Sequence, residues 1–273
     1  MAEMMSPYFE SLIKNSLTVL ADEPDDSTGM VWSEAEASAE LESTEKAIYK
    51  LDLIDKEVLI EEVEDLLSYD TIRKVKELWL DKNEFGNEGV EALATSPQLK
   101  KLLVLSLAHN KLTNYSAQSI AISPYLSQLQ KLFLQSNQIG LEGLAALVAS
   151  ETLSNLELLY LNVNPIGPAG ARILAGESKI QNLRELYLQK AGLGLGGVKA
   201  LCESKNFQEL TLLSLAGNGL QDSAVDLLCD SQAFPRLITL DLYKNRISDR
   251  AVDQLKASPN LKSVRAFQVD WRG

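Results

Sequence analysis

Histidine and cysteine are almost absent: His109 is the only histidine, and Cys202 and Cys229 are the only cysteines in 273 residues. A zinc site draws on Cys and His clusters at short spacing, and a hydrolytic nucleophile needs a base beside it. His109, next to Asn110 in a strand-to-turn position, supplies neither. Two cysteines do not make a disulfide framework in a chain this long. No apolar run approaches the roughly 18 residues of a membrane span, and the opening MAEMMSPYFE lacks the basic start and apolar stretch of a signal peptide. Basic residues are scarce at the front. Residues 1–70 carry 19 Asp and Glu against 4 Lys and Arg, whereas residues 71–273 carry 19 against 22. A phosphate backbone is bound by basic surface, so nucleic acid is not expected as a partner. These absences point to a cytoplasmic protein that is not an enzyme, holds no cofactor or metal and meets no membrane.

What is abundant is leucine at fixed spacing. In Leu129–Gly143, LQKLFLQSNQIGLEG, leucines stand eight, five and three residues before Asn137, Ile139 two after, and glycines three and six after. The same frame falls on Asn83, Asn110, Asn164, Asn218 and Asn245, on one register of 27 residues. It persists at Lys56, Ala191 and Arg272, where the asparagine is lost. Each unit reads as a short strand (Leu-x-Leu, as in Leu132 and Leu134), a turn holding the asparagine, and a segment of helical spacing such as Gly143, Leu144 and Leu147. Such a unit cannot bury its apolar sides alone, but stacked copies can, as one parallel sheet with helices on its other side.

The columns account for individual residues. Stacked asparagine amides can satisfy the backbones of neighbouring turns, and the turn at Ala191 is expected to be wetter or looser. The small residues at the sixth position after the slot (Gly89, Ser116, Gly143, Gly170, Gly197, Ala224, Ala251) are expected to let helix approach sheet. Asp222 and Asp249 fit helix caps, Pro168 fits a helix start, and Ser96, Ser123, Ser150, Ser204, Ser231 and Ser258 mark helix ends. Cys202 and Cys229 fall in the small buried column with Ala94, Ala121 and Ala175, as core packing rather than a bridge. Gly192, Gly194 and Gly197 spell the dinucleotide fingerprint GxGxxG, but two of them occupy columns that the repeat already explains.

The pattern LxxLxLxxNxIGxxG followed by xxxLA resembles the ribonuclease-inhibitor-like class of leucine-rich repeat, over residues 48–272 in about nine turns. The resemblance implies an α/β solenoid, a curved horseshoe with parallel strands on the concave face and helices on the convex one. It also implies a protein partner, since members of the class typically bind another protein. The constant 27-residue unit, the missing asparagine at Ala191 and the lack of cysteine richness depart from ribonuclease inhibitors.

Before the solenoid (residues 45–273), residues 1–44 read as an N-terminal helix and an acidic linker. Ser6–Leu20 has one apolar face at helical spacing, suited to covering the open end of the array. Ala21–Thr44 reads as a linker, with Met30, Val31 and Trp32 as an apolar island.

Strand alternation identifies the concave face. Four residues before the asparagine slot stand Asp52, Trp79, Ser106, Phe133, Tyr160, Tyr187, Ser214, Asp241 and Gln268; two before it stand Ile54, Asp81, Ala108, Gln135, Asn162, Gln189, Ala216, Tyr243 and Asp270. Phe133, Tyr160 and Tyr187 lie on successive strands about 4.8 Å apart, so their rings should stack into a ridge, which Trp79 extends after one gap. Asp81, Lys131, Gln135, Asn162, Gln189 and Tyr243, with Glu77, Glu185, Lys190 and Lys244, complete a candidate protein-binding face. The expected function is a monomeric, non-catalytic scaffold for a protein partner. The alternatives are a regulator of a partner enzyme acting through Lys82, Lys111 or Lys190, a bacterial effector secreted without a signal peptide, and self-association through the edge of the C-terminal strand Val264–Trp271.

Overall fold

The computed structural model describes residues 5–20, 47–176 and 178–270. Met30, Val31, Trp32, Trp271 and Arg272 lie outside them. Strands β2 (Ile48–Asp52), β3 (Val75–Trp79), β4 (Val104–Ser106), β5 (Lys131–Phe133), β6 (Leu158–Tyr160), β7 (Glu185–Tyr187), β8 (Leu212–Ser214), β9 (Thr239–Asp241) and β10 (Ala266–Gln268) form one sheet in chain order. Neighbours from β3 onward are parallel and pair residues 27 apart, as Leu78 with Leu105 and Leu132 with Leu159. The crossovers hold helices α2 (Ile60–Ser68), α3 (Gly86–Thr95), α4 (Asn114–Ile122), α5 (Leu141–Ala149), α6 (Gly167–Ala175), α7 (Gly194–Cys202), α8 (Asp222–Asp230) and α9 (Asp249–Ala257). Helices and strands thus occupy opposite faces of a curved α/β solenoid.

The two leucines of each strand sit between the layers. Leu51, Leu78, Leu105, Leu132, Leu159, Leu186, Leu213 and Leu240 are each 0% exposed. Burying one such side chain stabilises by about 1.5–3 kcal/mol. In β10, the edge strand of the sheet among the described residues, that column is taken by Phe267, which is only half-buried.

Three kinds of polar bond tie neighbouring units together. In the interior turn, Asn137 Oδ1 accepts from Asn110 N and Leu112 N at 3.0 Å, and its Nδ2 donates to Leu107 O and Leu134 O at 3.0 Å. At the start of the helices, Asn87 Oδ1 accepts from Thr113 N (3.0 Å) and Asn114 Oδ1 from Gly140 N (2.7 Å). Asp222 does likewise, accepting from Ser248 N and Ser248 Oγ at 2.8 and 2.6 Å, so it ties one unit to the next rather than capping its own helix. At the helix ends, the serine hydroxyls donate to the last carbonyls of the preceding helix, Ser150 to Ala121 O (2.5 Å), Ser231 to Cys202 O (2.8 Å) and Ser258 to Cys229 O (3.1 Å). The serine column therefore joins helices as well as ending them.

Two further expectations change. The turn before Ala191 is rebonded instead of loosened: Ile166 N donates to Asn164 O and Gly167 N to Ala191 O, both at 2.8 Å, and Ala191 is buried. The small sixth position makes room for the side chain four residues earlier, as at Gly89 beside Phe85 and Gly170 beside Ile166, and for the preceding helix, instead of for the sheet. A Cβ on Gly143 would meet Ala117 Cβ at 3.0 Å and one on Gly197 would meet Ala171 Cβ at 3.2 Å, each on the preceding helix.

At the front, α1 (Pro7–Ser16) has Ser6 as its cap, accepting from Phe9 N at 3.1 Å, and buries Phe9 and Ile13 in the common core. The helix stops four residues short of what the apolar spacing suggests. Leu17–Leu20 instead form β1, antiparallel to β2, so the N-terminal edge of the sheet is paired. Cys202 and Cys229 are both free thiols, and burial pushes that of Cys202 up to about 12.

Candidate protein-binding face

The 27-residue register places every fourth-before-slot residue in one row across the strands, and the rings meet along it. Tyr160 and Tyr187 stack with centroids 3.9 Å apart, and Phe133 and Tyr160 with centroids 5.5 Å apart. Trp79 reaches over Ser106 to within 5.3 Å of Phe133, closing the gap that the sequence leaves at β4. Ser106 is fully buried beneath this contact. The result is one row of four rings spanning β3 to β7, each half-buried.

Both polar-tipped ends of the row are tied to the glutamate two residues earlier. Trp79 Nε1 donates to Glu77 Oε2 at 3.3 Å and Tyr187 Oη to Glu185 Oε2 at 2.9 Å. Lys50 Nζ stands 4.9 Å from the Trp79 ring centre and 3.1 Å from an Asp52 carboxylate oxygen. Burial, then the bond to Glu185 and the negative charge of Glu185, pushes the Tyr187 phenol well above its usual range. Burial also raises that of Tyr160.

The second column runs beside the rings. Asp81 Oδ1 accepts from Ser106 Oγ (2.5 Å) and Ala108 N (2.8 Å), and burial holds its carboxyl above the usual carboxylate range. Asn162 makes the equivalent bond three strands on, accepting from Gln189 N at 2.7 Å; it is 7% exposed, so it braces the face from below instead of presenting its amide to a partner. Gln135, between them, is half-buried, and among the described residues its Oε1 is the only buried side-chain polar atom without a hydrogen-bond partner. Lys131 and Tyr243 are exposed.

Asp241 is the residue that sequence reasoning passed over. Its Oδ2 accepts from Ser214 Oγ (2.6 Å) and from Gln189 Nε2 (3.1 Å), and its Oδ1 from Tyr243 N (3.0 Å). It stands four residues before the Asn245 slot, in the row of the rings, but its bond to Gln189 crosses 52 residues and two strands, which no local pattern records. Gly192 and Gly194 serve left-handed turns, with φ of +72° and +54°, and Gly197 serves helix packing, so the GxGxxG spelling belongs to the repeat. Among the described residues no group of three or more His, Cys, Asp or Glu could hold a metal ion, and no helix is long and apolar enough to cross a membrane.

The sequence profile described as "Leucine Rich repeat" matches residues 71–94, 126–148 and 179–202. No curated protein matches the chain significantly. A similar solved structure is the crystal structure of a protein from Bacteroides fragilis, with 16% identity and a TM-score of 0.46, covering 76% of this chain and 68% of that one. The three matched stretches begin two repeat units apart to within a residue, on the register that the asparagine slots set. Strands, turns and helices recur on that register from β3 to β10, so the chain carries leucine-rich repeats stacked as an α/β solenoid.

Proposed function

We propose that the concave face binds a protein partner, with Trp79, Phe133, Tyr160 and Tyr187 as its apolar anchor. Leucine-rich repeats suggest a protein-interaction scaffold, and the ring row supports placing the contact on this face. The observation that carries the reading is the continuity of the row: four rings in mutual contact, half-exposed, on a face over which no described element of the chain passes. Aromatic clusters of this kind anchor interfaces because they bury large area at low entropic cost. The bonds to Glu77 and Glu185 fix the end rings in place before a partner arrives, which reduces the ordering cost of binding.

The test is capture from a lysate of the source organism by wild type and by a Phe133→Ala, Tyr160→Ala, Tyr187→Ala variant whose fold is checked by circular dichroism. The expected result is a partner held by wild type and lost by the folded variant. Identical partners with both would make the row a brace of the sheet and refute the reading.

A further inference from the structure

The charges around the ring row are unequally committed. From β3 to β9, every carboxylate beside the row is engaged by the chain itself: Glu77 by Trp79, Glu185 by Tyr187, Asp81 by Ser106 and Ala108, and Asp241 by Ser214, Gln189 and Tyr243. The ammonium groups of Lys82, Lys131, Lys190 and Lys244 make no ion pair among the described residues, although all four are exposed. The donors to those carboxylates are neutral, so the carboxylates keep their charge, but the charged groups left without a bond inside the chain are the ammonium groups.

They are concentrated where the face is also hollow. Along β8 and its turn the row contributes only Ser214, Ala216 and Gly217, and this leaves a hollow of about 290 Å³ just past Tyr187. Lys190 and Lys244 stand on its lip, two strands apart, with Gly217 between them. Gly217 is needed there: its φ is +65°, and a Cβ would meet Lys190 Cγ at 2.9 Å. Lys244 Nζ lies 5.3 Å from the ring centre of Tyr243. Asp241 lines the floor, but it is 6% exposed and its oxygens already accept three hydrogen bonds, so the ammonium groups above it meet a visitor first.

We propose that the partner docks an acidic segment, with apolar side chains laid on the ring row and a carboxylate seated between Lys190 and Lys244. The proposal rests on the concave-face reading above and specifies the chemistry of the visitor. Opposite charge across such a contact speeds encounter and penalises basic competitors.

Two peptides test it, a dodecapeptide alternating leucine with glutamate and its counterpart with lysine in place of glutamate, titrated against the full chain by fluorescence anisotropy. The glutamate peptide is expected to bind at least tenfold more tightly, with affinity falling as NaCl rises. Lys190→Glu with Lys244→Glu is expected to abolish or reverse that preference. The backbone tolerates the change, since Glu57 already occupies a φ of 56°. Equal affinity for the two peptides, an unchanged preference in the double variant, or failure of wild type to bind either peptide would overturn the proposal. The lysate capture separates the two readings: a partner lost by the triple ring variant but kept by the double lysine variant leaves the concave face standing and removes the acidic segment.

Discussion

Replacing Asn137 with alanine should be among the most damaging single changes in the solenoid that touch no apolar contact. The side chain is 7% exposed and its oxygen accepts from two backbone amides, Asn110 N and Leu112 N, that have no water to turn to. Leaving each buried N–H unpaired costs about 1–3 kcal/mol, and the lost donations to Leu107 O and Leu134 O add to this, so a total of about 3–5 kcal/mol is expected. Against a typical stability of about 5–15 kcal/mol, that is a large fraction. Asn137→Asp keeps both acceptances but sets a buried carboxylate oxygen about 3.0 Å from Leu107 O and Leu134 O, so at neutral pH it should cost at least as much as alanine. Urea unfolding measures both, and amide exchange should show Asn110 and Leu112 losing protection ahead of the rest of the sheet. The turn before Ala191 shows how the reasoning could fail, because there Ile166 N finds a backbone carbonyl, Asn164 O, at 2.8 Å. If Asn137→Ala costs under about 1 kcal/mol with protection intact, the turn has rebonded in the same way and the asparagine column is dispensable.

Val163 occupies a left-handed turn at φ 56°, which a β-branched side chain adopts only under strain, and it is exposed. Val163→Asn should raise stability by about 1 kcal/mol in the same urea assay, and an unchanged midpoint would mean that the turn stores no strain. Tyr187 should be among the last of the 8 tyrosines to ionise in an ultraviolet titration, and Glu185→Gln should bring its phenol down. The native phenol is raised above the unfolded value near 10, so the folded state holds the proton longer: this stability is fully present below about pH 10 and declines as pH rises further. Tyr187→Phe should flatten that alkaline decline, and an identical decline in the variant would show that the phenol is not held as described.

The fold was legible because its cause repeats. A leucine at −5 and −3 and an asparagine at the slot each answer a local demand, an apolar side to bury and a turn to satisfy, and a 27-residue period shows the demand being met at every unit. The ring row was legible for the same reason, since a fixed register turns a column of letters into neighbours in space. What failed was whatever depended on a partner outside the period. Leu17–Leu20 continue a helical apolar spacing, yet they pair antiparallel with β2 because the first strand would otherwise leave its edge bare. Asn162 looked like surface and is buried, because its amide answers the backbone of Gln189 one strand away. Trp79 reached Phe133 because an indole is wider than a strand spacing and Ser106 leaves room beneath it. The acidic charges of the concave face were plain in the sequence, but their engagement was not, since Asp81 and Asp241 are satisfied by serines 25 and 27 residues away. Counting letters gives a face of mixed sign. Those self-made bonds occupy the carboxylate oxygens without removing their charge, and the charged groups they leave unbonded are the lysines.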